Sequence, residues 1–121
     1  VEKDYRASKV IESNIKLLKE EENTKLYQLD YKVALNKFKN DGMKFDIIFL
    51  DPPYRLNIIA EIIDFIIENK LINDKGIMVC QYVRGNYIPK EENNIKIIKN
   101  YTYASSEICI YQFVSEEKEN E

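Results

Sequence analysis

Four residues at the end of an apolar segment combine the groups needed to act on an amine. Asp51, Pro52, Pro53 and Tyr54 directly follow the segment FDIIFL. The Asp51 carboxylate and the Pro52 backbone carbonyl can each accept one N–H of an amino group, which turns its lone pair out of conjugation. The Tyr54 ring offers a face on which an extruded base can stack. This combination favours methylation of an exocyclic amine on a nucleic-acid base.

The same four residues also have a purely structural interpretation. Prolines end a strand because they cannot donate to its hydrogen-bond ladder, and Asp51 could simply cap the turn. The flanking sequence favours function, since ligands of open α/β sheets bind outside the carboxyl ends of strands. The chain contains no histidine. Any proton transfer must therefore involve carboxylates, tyrosines, lysines or water.

The surrounding sequence alternates between helical and extended patterns. The predicted helices cover about 4–22, 30–42 and 57–69, and the predicted strands cover 25–29, 45–50, 77–82, 95–98 and 107–113. Asp4 and Asp30 are the expected helix caps, and FDIIFL is expected to be buried on both faces. Asp74-Lys75-Gly76 is expected to turn into the strand at 77–82. The alternation predicts a parallel α/β sheet with an antiparallel pair of strands at one edge.

Composition limits the possible functions. The net charge is −3 and the pI is about 5.2, so binding to nucleic acid requires the basic residues to lie in local patches. No apolar run approaches the length of a membrane span and no basic-then-apolar leader opens the chain. Cys80 and Cys109 lie in apolar segments, which favours free buried thiols over a disulfide. The nine tyrosines are expected in the core and at its rim, except Tyr54.

On these motifs the chain resembles the RsmD-type 16S rRNA (guanine-N2)-methyltransferases, which are Rossmann-like enzymes dependent on S-adenosylmethionine. The matching stretches are VEKDYRASKVIESNIKLL, LDYKVAL, FDIIFLDPPYRLNIIAEIIDFI and LINDKGIMVCQY. The resemblance extends from about Val1 to Phe113. It implies a class I methyltransferase fold, which is a three-layer α/β sandwich with a mostly parallel sheet and an antiparallel last strand.

The resemblance also implies roles for individual residues. Glu2 would bind the ribose hydroxyls of S-adenosylmethionine and Asp30 would contact its adenine amino group, although a surface carboxylate and a helix cap are equally good interpretations of these two residues. Asp51 to Tyr54 would form the site for the target amine. The implied partner is rRNA of the small ribosomal subunit in the cytoplasm, without a metal or a membrane. The oligomeric state is not implied.

The chain departs from the family pattern at three places. The family's first strand and glycine-rich cofactor loop are absent, and none of Gly42, Gly76 and Gly85 forms a G-x-G motif. Gln81-Tyr82 replaces the usual Glu-His pair, and the segment 103–106 replaces a Tyr-Gly turn.

The first departure has consequences for both fold and function. A sheet without its first strand should expose apolar edges. We therefore expect a partial methyltransferase domain at 1–114, followed by a charged tail at 115–121, that does not bind cofactor normally by itself. Alternatives are an adenine-N6 or protein-amide methyltransferase, and a non-catalytic binding module.

Overall fold

The computed structural model describes residues 1–52, 58–92 and 94–115. The chain divides into two compact units, Val1–Gly42 and Met43–Glu121. The charged tail that the sequence predicts falls mostly outside the described residues. Within the described ranges, no helix combines the length and the apolar character needed to cross a membrane.

The first unit contains two capped helices. Helix α1 (Tyr5–Leu17) begins after Asp4, whose side chain accepts a hydrogen bond from the Ala7 amide at 2.9 Å. Helix α2 (Tyr31–Asn40) begins after Asp30. Both caps confirm the sequence prediction. A carboxylate is suited to this position because it satisfies backbone amides that have no partner within the helix. Gly42, at φ +67, follows the end of α2.

Helix α1 is shorter than predicted. It ends at Leu17 rather than near residue 22, and Lys19 takes a positive φ of 57. An α-helix requires negative φ at every residue, so this backbone angle stops it. The residues that were expected to continue the helix instead form a short 3-10 turn at Glu21–Asn23.

The predicted strand at 25–29 is wrong. Those residues form no strand, and one backbone hydrogen bond, from the Glu2 amide to the Tyr27 carbonyl at 2.9 Å, ties them to the start of the chain. A single bond does not make a ladder, which needs a regular series. The Tyr27 ring packs edge-on against Phe38 with a centroid distance of 5.2 Å. Side-chain packing thus holds this segment against helix α2.

The second unit is built on a four-stranded sheet. Its strands are β1 (Phe45–Leu50), β2 (Ile72–Val83), β3 (Ile95–Tyr103) and β4 (Ser106–Phe113), in the spatial order β1-β2-β4-β3. Strands β1 and β2 pair in parallel, whereas β4 is antiparallel to both of its neighbours. Only β4 therefore runs against the other three. This arrangement confirms the predicted α/β class and the reversed last strand.

The core of this unit lies on one face of the sheet. Helix α3 (Ile58–Glu68) packs against β2 and buries five isoleucines, which are Ile58, Ile59, Ile62, Ile63 and Ile66. Alternate residues of β2, which are Met78, Cys80 and Tyr82, are buried together with Cys109 and Tyr111 of β4. This period-two burial is the pattern of a strand with one covered face.

Both cysteines are free and buried, as the sequence favoured. Cys80 and Cys109 are direct partners in the pairing of β2 with β4. Burial raises the pKa of Cys80 to about 12 and also raises that of Cys109. The two thiols therefore stay protonated at neutral pH.

Strand β1 is not buried on both faces, contrary to the prediction. Ile47 is 69% exposed and Phe49 is 59% exposed, while the alternate residues Ile48 and Leu50 are half-buried. The exposure of alternate residues means that one face of β1 is open, and β2 is its only strand partner among the described residues. The apolar edge expected for an incomplete sheet is thus present on β1.

Strand β2 begins earlier than predicted and contains an irregularity. The pairing with β1 jumps from Phe45 opposite Ile72 to Ile47 opposite Ile77. The turn predicted at Asp74-Lys75-Gly76 lies inside this jump, and Lys75 has a φ of +66. The extra residues are accommodated as a bulge within one strand rather than as a separate turn.

Candidate active site

Asp51 and Pro52 leave the carboxyl end of β1, as the sequence predicts. Asp51 is exposed and Pro52 is half-buried. Strand β1 is anchored at its opposite end, where the Phe45 amide donates to the Leu71 carbonyl at 2.8 Å and Asn73 donates to Asp46 at 2.8 Å. Pro53 and Tyr54, the other two predicted site residues, lie outside the described residues.

Gln81 is the neighbour of Asp51 across the parallel pair. The last pairing of β1 with β2 matches Leu50 with Cys80, so the next residues along the two strands are Asp51 and Gln81. Continuing the alternation of β1 by one residue puts Asp51 on the face of Ile47 and Phe49. An exposed carboxylate and a half-buried amide therefore flank the same end of the sheet.

A second polar group at this end of the sheet surrounds Glu107. Glu107 is the partner of Tyr82 in the pairing of β2 with β4, and the Arg84 Nε atom lies 3.5 Å from Glu107 Oε1. Burial and the adjacent carboxylate raise the pKa of Tyr82 above its ordinary value. Glu107 therefore lies beside Tyr82 and is paired with Arg84, whereas the Asp51 carboxylate is exposed.

Sequence reasoning did not identify Glu107 or Arg84. Glu107 lies at this end of the sheet, on the face opposite to Asp51, because it is paired with Tyr82 in the antiparallel register of β2 and β4. The Arg84 backbone amide also donates to the Ser105 carbonyl at 2.8 Å, which joins the loop after β2 to the β3–β4 turn. The sequence signal available was the alternation of β4, which sets Glu107 on the face of Cys109 and Tyr111.

Glu2 and Asp30, the predicted cofactor ligands, belong to the first unit, whereas Asp51 and Pro52 belong to the second. The Glu2 carboxylate accepts a hydrogen bond from the Asp4 amide at 3.1 Å. The Asp30 carboxylate accepts one from the Lys32 amide at 3.4 Å. The helix-cap interpretation of Asp30 is thus confirmed, and its role toward a cofactor stays a prediction.

A mixed α/β sheet with a reversed last strand, in which a carboxylate and a proline follow β1, fits a Rossmann-like fold. A family model described as "Conserved hypothetical protein 95" matches residues 1–112. The chain belongs to this family, which comprises the RsmD-type methyltransferases.

Two curated proteins are similar to this chain. One is named "Putative rRNA methyltransferase YlbH" from Bacillus subtilis, with 26% identity over 112 residues that cover 93% of this chain and 61% of that protein. The other is named "Uncharacterized methylase RP545" from Rickettsia prowazekii, with 28% identity over 72% of this chain and 37% of that protein. This chain thus spans less than two thirds of the length of either relative.

Solved structures show the same fold. A conserved hypothetical protein from Streptococcus pyogenes matches with a TM-score of 0.83 at 27% identity, over 92% of this chain and 68% of that one. A structure titled "Putative methyltransferase yhhF from Escherichia coli" matches with a TM-score of 0.78 at 19% identity, over 93% of this chain and 60% of that one. At this lower identity the likeness concerns the fold alone.

Proposed function

We propose that residues 1–114 form part of a methyltransferase domain that transfers a methyl group from S-adenosylmethionine to the N2 amino group of a guanine in 16S rRNA. The observation that carries the proposal is the exposed Asp51 carboxylate, followed by Pro52, at the carboxyl end of β1. The names of the curated relatives support a methyltransferase and an rRNA substrate. A ribosomal substrate would be met in the cytoplasm.

The residues of the first unit suit the adenosine part of S-adenosylmethionine. A carboxylate has about four lone-pair sites, and the Glu2 and Asp30 carboxylates each accept a hydrogen bond from one nearby amide. Both therefore keep acceptor capacity, Glu2 for ribose hydroxyls and Asp30 for an adenine amino group. When bound, S-adenosylmethionine supplies an electrophilic methyl group.

The target amine would be held by Asp51 and Pro52. Each N–H of the exocyclic amine donates to one acceptor, the Asp51 carboxylate or the Pro52 carbonyl, so that the nitrogen lone pair points away from both. Positive charge would grow on the nitrogen as it receives the methyl group and the bond from that methyl group to the sulfonium sulfur breaks, and the two acceptors would stabilise this charge. The Asp51 carboxylate then accepts the proton that the methylated nitrogen releases. Tyr54 would stack on the base, as the sequence predicts.

The test is methyl transfer by the longest reading frame that contains this chain. We expect Asp51→Ala to lower the rate of transfer to small-subunit rRNA by about a hundredfold or more, while calorimetric affinity for S-adenosylmethionine is nearly unchanged. Asp51→Asn should lower the rate of methyl transfer less than Asp51→Ala does, since the amide oxygen of asparagine still accepts one N–H. Asp64→Ala, which removes an exposed carboxylate of α3, is the matched control.

Three outcomes would contradict parts of this proposal. Near-normal turnover of Asp51→Ala would exclude the amine site. Methylation of adenine N6 or of a protein amide, found by mass spectrometry of the product, would keep the chemistry and change the substrate. A well-folded protein that binds no S-adenosylmethionine would favour a non-catalytic binding module.

A further inference from the structure

Strand β3 carries a basic and aromatic stripe on one face. Its members are Lys96, Lys99, Tyr101 and Tyr103, which pair with Gln112, Ile110, Ile108 and Ser106 of β4. Because directly paired residues share a face, these four side chains lie on the same side of the sheet. A bulge between Ile97 and Lys99 keeps them there along the whole strand.

The two tyrosines of this stripe are available to a ligand. Tyr101 is 39% exposed and Tyr103 is 58% exposed, so part of each ring is open to a ligand. Their ring centroids are 6.5 Å apart and their planes differ by 23°. The Lys99 ammonium lies 5.8 Å from the centroid of the Tyr101 ring. Two near-parallel rings with a cation beside them match the requirements for stacking of bases.

The stripe is aligned with the candidate active site by strand register. Tyr101 pairs with Ile108, and Ile108 pairs with Gln81, which is the neighbour of Asp51. Strands are spaced by about 4.8 Å, so Tyr101 is about 14 Å from Asp51 across the sheet. Tyr103 lies next to the β3–β4 turn, at the end of the sheet where β1 and β2 terminate. Nucleotides next to a base held at Asp51 can reach this surface.

The charged side chains that β3 and β4 place on this face are lysines. The chain as a whole has a net charge of −3, but on this face β3 and β4 contribute two exposed lysines and no acidic residue. Glu107, the nearest acid in sequence on β4, lies on the opposite face beside Tyr82. The Glu91 carboxylate accepts a hydrogen bond from the Ile97 amide at 2.9 Å, next to Lys96. Lys99, beside the Tyr101 ring, is therefore the better placed cation to meet a phosphate.

We propose that the β3 stripe of Lys96, Lys99, Tyr101 and Tyr103 binds unpaired RNA bases that flank the target nucleotide. Tyr101 and Tyr103 stack on two bases, and the two lysines contact the phosphates between them. The inference rests on the proposed function for the identity of the substrate. It specifies that the target guanine is presented by a single-stranded or looped segment, since the bases of a duplex are not available for stacking.

The test is binding of a fluorescently labelled single-stranded RNA oligonucleotide to this chain, measured by anisotropy. We expect Tyr101→Leu and Tyr103→Leu each to weaken binding by about tenfold, whereas Tyr101→Phe keeps the ring and the affinity. Lys99→Gln should lower the slope of log affinity against log salt by about 0.7. The same RNA annealed into a duplex should bind more weakly.

Tyr5 provides a matched control. It is 61% exposed on α1, and the Lys9 ammonium lies 5.2 Å from the centroid of its ring, so Tyr5→Leu removes an equivalent pair outside the sheet. Equal effects of Tyr5→Leu and Tyr101→Leu, or no binding by the parent chain, would overturn the inference. Circular dichroism of each variant checks folding. These readouts do not involve methyl transfer, so the inference can fail while the Asp51 test still supports the proposed function.

Discussion

The phenolic hydroxyl groups of Tyr87 and Tyr111 form a hydrogen bond inside the second unit. Tyr87 comes from the loop after β2, and its ring also packs edge-on against Tyr82 at a centroid distance of 5.2 Å. Tyr111 is fully buried in β4. A polar contact in the core thus fixes the loop that follows β2.

This tyrosine pair predicts a loss of stability at alkaline pH. Burial is the largest cause that raises the pKa of Tyr87, to about 12, and it also raises that of Tyr111. An unfolded tyrosine ionises near pH 10, so the unfolded state releases protons first. The stabilisation is therefore complete below about pH 10 and is lost as the pH rises toward about 12. Urea unfolding at a series of pH values measures this loss.

Substitution of Tyr87 isolates its contribution to that loss. Tyr87→Phe should cost about 1 kcal/mol at pH 7, because it leaves the buried Tyr111 hydroxyl without this partner. The variant should also lose stability less steeply above pH 10, since one titrating group is gone. Tyr5→Phe, at an exposed position, should change neither quantity. An unchanged alkaline slope for Tyr87→Phe would contradict the assignment.

The bulge in β2 predicts opposite effects at two adjacent residues. A Cβ at Gly76 would lie 2.5 Å from Ile72 Cγ1 and 2.8 Å from the Asn73 carbonyl oxygen. Gly76→Ala should therefore lower the free energy of unfolding by roughly 1–3 kcal/mol. Lys75 has a φ of +66, so Lys75→Gly should relieve strain and raise it slightly. Thermal unfolding compares both variants, and equal losses would show that the bulge geometry does not set these costs.

The exposed edge of β1 predicts self-association. Ile47 and Phe49 project from a strand whose outer side pairs with no other described strand, and such edges pair with other chains. Light scattering should show mass increasing with concentration for the parent chain and less increase for Phe49→Lys. Val33→Lys is the control, because Val33 is 54% exposed but lies on helix α2. A parent chain that remains monomeric throughout would refute this.

The elements that depend on local sequence were predicted well. Asp4 and Asp30 indicate where two helices begin, and the apolar run FDIIFL indicates where β1 begins and ends. The segment 25–29 and the exposure of β1 were predicted wrongly, because pairing and burial depend on which strands lie alongside. Local patterns do not contain that information.

The candidate site likewise has one part that the sequence predicts and another that it does not. The position of Asp51 follows from where an apolar strand ends, so the sequence was sufficient. The contact of Glu107 with Tyr82, and the alignment of Tyr101 with Gln81, depend on the register between strands that are distant in sequence. Register is set by the packing of whole faces, and a single motif does not specify it.

The reversed direction of β4 determines where a purification handle can be attached. Because β4 begins beside the end of β2, it finishes at the opposite end of the sheet, where the Ser115 amide donates to Asp74 at 2.8 Å and the Val114 amide donates to the Asn94 carbonyl at 2.8 Å. An affinity tag or a surface-coupling linker attached after Ser115 would thus be joined at the end of the sheet that is remote from Asp51. Immobilised protein would keep its candidate site turned toward the solution.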